Sequence, residues 1–193
     1  PCWFKATNSS INYPNPTSTN AITGNRSLLF FGQRYPSATI TPFYSYAALP
    51  ELDSSVDVSS LTVSFKARHF FDMTNYFAVI QVGVMTNPTD VSTFVAIDTI
   101  DLTSLPTSTI QNCRVHLSNY TGTAKYVAFY CPPLASGTYT YFLIDDVVLD
   151  FNPGCQPVSQ LIAFDSTPDS VTVSWTDTEN TGATYSVFVD TIL

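Results

Sequence analysis

A two-residue rhythm restricts the fold of this chain more than any other feature. In LTVSFKARHF, residues 61–70, Leu61, Val63, Phe65 and Ala67 share one face, and Thr62, Ser64, Lys66 and Arg68 share the other. That alternation belongs to a half-buried strand. Similar segments follow: YFAVIQVGVM (76–85), STFVAIDTIDL (92–102), IQNCRVHLS (110–118), AKYVAFYC (124–131) and YTYFLIDDVVLDF (139–151). Turn-forming stretches such as TNPTD, SLPTST and PPLASG separate them. No segment carries the period of an amphipathic helix. Closely spaced strands of this kind predict an all-β antiparallel sandwich. Earlier in the chain, SLLFFG (27–32) reads as a strand, preceded by the loop NYPNPTSTNAITGN and followed by the aromatic stretch YPSATITPFYSYAALP.

Composition narrows the function classes. The chain has 193 residues, of which 45% are hydrophobic and 11% charged, with a net charge of -8. Its seven Lys and Arg residues are scattered, whereas nucleic-acid binding needs them clustered. No apolar run approaches the roughly 20 residues of a membrane helix. The expectation is therefore no nucleic acid and no membrane insertion. A polar surface rich in Ser, Thr, Asn and Tyr suits an exported protein, secreted or held at the cell surface.

The four cysteines, Cys2, Cys113, Cys131 and Cys155, contain no CxxC pair, and a zinc site has little to draw on. Cys113 and Cys131 are equidistant from Gly122 in YTGT, so a hairpin there would set them opposite each other as a disulfide. Cys2 and Cys155 would then clasp the two ends of the first domain. Four buried free thiols are the alternative.

A boundary is expected in FNPGCQP, where Pro153, Gly154 and Pro157 interrupt the pattern. This gives a first domain over residues 1–153 and a second over 154–193. In the second, VTVSW and TYSVFV restart a β-pattern that resembles the opening of a fibronectin type III domain, with Trp175 in the place of that family's core tryptophan. A full immunoglobulin-like sandwich needs about 100 residues, so this one would be partial.

The chemistry that the sequence offers is sparse. The glutamates are Glu51 and Glu179, the latter in the second domain, and there is no GxSxG, HExxH or glycine-rich phosphate loop. His69 and His116 read as strand-surface residues. Asp145 and Asp146 are neighbours on a strand, so they would point to opposite faces rather than embrace one bond. No catalytic residue is assigned, and an enzyme is not expected. Parity with Val147, Leu149 and Phe151 would turn Asp145 inward and Asp146 toward solvent. A buried carboxylate needs a partner. For Asp145 that is either a structural Ca²⁺ held with carbonyls and asparagines, or donors from the N-terminal loop.

In order along residues 1–155, PCW, GNRSLLF, LPELDSSVDVSSLTVSFKAR, IQVGVMTNPTDVSTF, HLSNYTGTAKYVAFYC and YFLIDDVVL before GCQP resemble the cleaved-adhesin or choice-of-anchor J modules. These are MAM-like jelly rolls of bacterial surface proteins. The resemblance implies a jelly-roll β-sandwich followed by the fibronectin-like segment. It also implies a non-catalytic exported module, adhesin-like or carbohydrate-binding, within a larger surface protein. Its partner would be a host or dietary glycan or a surface protein, and related carbohydrate modules place a structural calcium beside a motif such as IDD. A structural spacer is the alternative. Ligand contacts are expected at Tyr35, Phe43, Tyr44 and Tyr46, with Tyr76 and Tyr120 on turns; ordinary packing of these rings is the competing account.

Overall fold

The computed structural model describes residues 3–8, 13–33, 44–71, 75–133, 137–152, 158–165, 167, 169–177 and 184–185. The chain divides into two compact units, Pro1–Phe151 and Asn152–Leu193. In the first lie β1 (Phe4–Thr7), β2 (Tyr13–Thr17), β3 (Ser27–Gln33), β4 (Ser45–Ala48), β5 (Leu61–His69), β6 (Tyr76–Phe77), β7 (Val79–Met85), β8 (Val95–Asp101), β9 (Gln111–His116), β10 (Tyr126–Cys131) and β11 (Tyr139–Phe151). The helical elements among the described residues are two 3₁₀ turns, Val58–Ser60 and Val91–Thr93, capped by the carboxylates of Asp57 and Asp90.

The strands form two sheets, one in the order β1-β4-β10-β7-β8 and the other β2-β3-β11-β5-β9, with β6 added in parallel to β11. All other pairings in the two sheets are antiparallel. Their inner faces build one core, which explains the alternation in the sequence. Leu61, Val63, Phe65 and Ala67 of β5 lie in it with Phe30, Phe142 and Ile144, against Ile80, Val82, Val84, Val127 and Phe129 of the first sheet. Phe65 meets Phe129 edge-on at 4.9 Å, and Phe30 stacks on Phe142 at 4.8 Å. Such rings contribute about 0.5–1.5 kcal/mol per pair beyond their buried area. This is an all-β jelly-roll sandwich.

The first sheet is covered on its outer face too. Tyr46, Ala48, Met85, Tyr126 and Ala128 form a second buried cluster, with Val91 and Phe94 packed against it. All four residues of β4 are consequently buried. A strand enclosed on both sides loses its alternation, and that is why the stretch around Tyr44 was unreadable as a strand. β2 was hidden for another reason. It contains Pro14 and Pro16, tolerated because β2 is an edge strand and their two-residue spacing turns both nitrogens, which lack a hydrogen, away from β3.

Several expectations are corrected. Cys113 and Cys131 are free buried thiols. No hairpin joins them, because Cys113 pairs with Phe65 in one sheet and Cys131 with Ser45 in the other. The Cys2–Cys155 pairing lies outside the described residues. His69 is buried, with Nε2 bonded to the Leu105 carbonyl, and His116 Nδ1 bonds the Thr62 hydroxyl at 2.8 Å. The parity drawn through Asp145 also fails. The β5–β11 register shifts between Asp145 and Val148, and Asp146 has φ +47. This β-bulge inserts one residue. Before it, Phe142 and Ile144 face the core; after it, Val147 and Leu149 do. Asp145 alternates with Ile144 and therefore lies on the outward face.

In the second unit, β12 (Ser159–Phe164) and β13 (Thr172–Thr176) pair antiparallel. Trp175 lies 5.3 Å from Tyr185, and Leu161, Ile162 and Phe164 are exposed.

Candidate functional site: an aromatic sheet face and its acid anchor

Alternation along β11 sorts its residues by function. Phe142 and Ile144 enter the core, so Tyr139, Tyr141, Leu143 and Asp145 line the outward face of the second sheet. Cross-strand register sets Phe31 beside Tyr141, Arg68 beside Leu143 and Tyr76 beside Tyr139. The short strand β6 brings Tyr76 there, held by the Tyr139 N–H bond to the Asn75 carbonyl at 2.9 Å.

The result is a connected group of six rings. Tyr76 stacks on Tyr139 at 5.1 Å, Phe71 contacts Tyr76 at 4.7 Å, and Phe71 and Phe70 each lie 5.2 Å from Tyr141, which also meets Phe31 edge-on at 6.0 Å. The Arg68 guanidinium lies over Phe70, 5.2 Å from its centroid. Phe71 is 39% exposed and the other five rings are half-buried. Rings braced by one another present a preorganised apolar surface with hydroxyls at its margin, which costs little entropy to use. Arg68 supplies the charge, bonded to the Asn20 carbonyl.

Further along the same face, the two acids close a loop rather than open a catalytic cleft. Asp145 Oδ2 accepts from the Thr23 N–H at 2.9 Å, the Thr23 hydroxyl at 3.2 Å and the Ser27 hydroxyl at 2.8 Å. Its Oδ1 accepts from the Asp146 N–H at 2.9 Å. Burial pushes the Asp145 carboxyl up, but the bonds from Thr23, Ser27 and Asp146 outweigh it and leave the pKa lowered. Asp146 Oδ1 accepts from the Thr23 hydroxyl at 2.7 Å and Oδ2 from Lys66 Nζ at 2.8 Å. Those bonds, Lys66 first, lower its pKa.

Calcium requires about six to eight oxygen ligands. Here all four carboxylate oxygens accept hydrogen bonds, one of them from an ammonium group, and no group of three metal-binding side chains occurs among the described residues. The donors around these oxygens make both acids bonded carboxylates that fasten the loop at Thr23 to β11.

The aromatic residues expected from sequence fall elsewhere. Tyr35 and Phe43 lie outside the described residues. Tyr46 is 1% exposed, with its hydroxyl donating to the Pro88 carbonyl at 2.9 Å, so it is a packing residue and not a contact. Tyr44 is half-buried, stacked on Tyr46 and Tyr130. The hydroxyl of Tyr120 accepts from the Ala124 N–H at 3.0 Å. Of the six rings on the outward face, sequence reasoning named Tyr76 alone. The available signal was parity: Tyr139 and Tyr141 occupy the register opposite to Phe142 and Ile144. A separate apolar cleft of about 460 Å³ lies at the edge near β1 and β2, lined by Trp3, Lys5, Pro16, Leu28 and Ala47.

No protein-family description matches the chain, and no curated protein matches it. Solved structures do. The K1 cleaved adhesin domain of Lys-gingipain from Porphyromonas gingivalis W83 is 18% identical, with a TM-score of 0.54 over 78% of this chain and 91% of that one. The K3 domain of the same protein is 19% identical, with a TM-score of 0.54 over 76% and 88%. The fold is the cleaved-adhesin jelly roll. A structure described as showing promiscuous specificity of carbohydrate-binding modules from the β-sandwich superfamily is 14% identical, with a TM-score of 0.53 over 76% of this chain. The match spans 56% of that longer chain. No helix among the described residues is long and apolar enough to cross a membrane.

Proposed function

We propose that the first unit is a non-catalytic glycan-binding module of an exported protein, and that the outward aromatic face of the second sheet is its contact surface. The observation that carries this reading is the connected group of six partly exposed rings on that face. An apolar sugar face stacks on such rings, while the tyrosine hydroxyls and Arg68 bond the sugar's hydroxyls. The shared fold with adhesin and carbohydrate-binding modules supports the reading; fold alone does not supply a ligand. The acids belong to architecture. They pin the loop at Thr23 to β11.

The wider expectations extend this proposal. The module sits at the cell surface or is secreted, and residues 154–193 open a fibronectin type III-like sandwich. A glycan array separates binding from a spacer role. Saturable binding of at least one glycan class, weakened at least tenfold by Phe71→Ala or Tyr76→Ala in a folded protein, is the expected result. A blank array with folded protein makes the module a spacer.

A further inference from the structure

The aromatic face is not electrically neutral, and the cation beside its rings, Arg68, is held in an unusual way. Arg68 belongs to β5, opposite Leu143 and next to the ring group. Its guanidinium lies over Phe70 and donates to the Asn20 carbonyl. Lys66 is paired with Asp146, and Lys125 with Glu51. Arg68 has no such carboxylate partner among the described residues, and its Nε is buried without an acceptor.

A guanidinium carries five N–H donors in a planar fork that matches a carboxylate. Here the guanidinium is held flat over an aromatic ring, beside a surface suited to sugar stacking. The acids on the same face lie beyond Leu143, where Asp145 and Asp146 are occupied by Thr23, Ser27 and Lys66. They do not neutralise Arg68.

We infer that the ligand of this face is an acidic glycan, whose uronic acid carboxylate is received by Arg68 while a neighbouring sugar ring stacks on Phe71 and Tyr76. The inference rests on the glycan reading above and deepens it. Net charge limits the charge density that can be tolerated. A chain of -8 repels dense polyanions, so the fit is to uronates with one carboxylate per sugar rather than to heavily sulfated chains. A bidentate carboxylate bond adds direction as well as attraction, and stacked arginine is not replaceable by lysine in that role.

The test uses the full chain, an array of acidic and neutral glycans, and calorimetry with two matched probes: an oligogalacturonate and its fully methyl-esterified form. The expected result is tighter binding of the free acid by about tenfold at low ionic strength, a difference that shrinks as salt rises. Arg68→Gln should equalise the two probes, and Arg68→Lys should restore only part of the preference, with both variants melting cooperatively. Equal affinity for acid and ester would overturn the inference and leave the aromatic surface as a neutral-glycan site. So would array binding confined to neutral glycans and dependent on Tyr76. Absence of binding to any glycan would overturn both readings.

Discussion

Asp145 and Asp146 are adjacent, yet their substitutions should differ greatly. Asp145 accepts four bonds that fasten Thr23, Ser27 and the bulge, and Asp145→Asn weakens them by removing the charge. The expected cost is about 1–3 kcal/mol. Asp146→Asn should be close to neutral, because its left-handed φ suits Asn and its pair with Lys66 is exposed. Thermal melting compares the two, and added calcium or EDTA should shift neither the parent nor the variants. The pH dependence has a definite sign. A folded pKa lowered below its ordinary value means that the unfolded chain binds more protons in the acid range. The stabilisation is complete above the ordinary Asp value of about 3.9 and is lost as pH falls through the lowered one. Asp145→Asn should flatten that acid limb.

The thiols give a second test at this scale. Burial first, then Asp98, pushes Cys113 up to about 11. Burial pushes Cys131 up to about 12. Thiolates are the reactive form, so neither residue should be alkylated at neutral pH in native protein, and both should be after denaturation. Native labelling of either would contradict its burial, and recovery of a Cys113–Cys131 disulfide would contradict their placement in opposite sheets.

Among the elements, β7 and β8 are joined through a constraint that the sequence does not announce. A Cβ on Gly83 would lie 2.2 Å from the Val95 carbonyl oxygen and 2.7 Å from the Phe94 ring. Backbone and a packed aromatic cannot both withdraw, so Gly83→Ala should destabilise the unit by about 1–3 kcal/mol. Denaturant unfolding measures it. Strands with one buried face were legible because alternation reports one-sided burial: β5 is the clearest case. β4 was not, being buried on both faces, nor was β2 with its prolines, nor the bulge at Asp146. A single inserted residue reverses every parity after it, and so Asp145 was assigned to the wrong face although its tie to the N-terminal loop was anticipated. The sheets also defeat contacts inferred from sequence distance. Cys113 and Cys131 flank one turn, but the chain crosses from one sheet to the other between them.

At the scale of the whole molecule, one outer face of the two-sheet sandwich is closed, and the proposed function gives the other to recognition. The outer side of the first sheet carries its own buried aromatic cluster, and the outer side of the second leaves six rings within reach of solvent. Sequence composition located the aromatics without saying which were buried, since that depends on the 86–94 segment covering one sheet and on β6 extending the other. Chemical-shift mapping on the full chain, titrated with the strongest glycan from the array, tests the claim most directly. Perturbations should concentrate at Phe31, Phe71, Tyr76, Tyr139 and Tyr141, with Arg68 at their margin. Perturbations concentrated at Tyr44 and Tyr130, or around Trp3 at the β1–β2 edge, would contradict it.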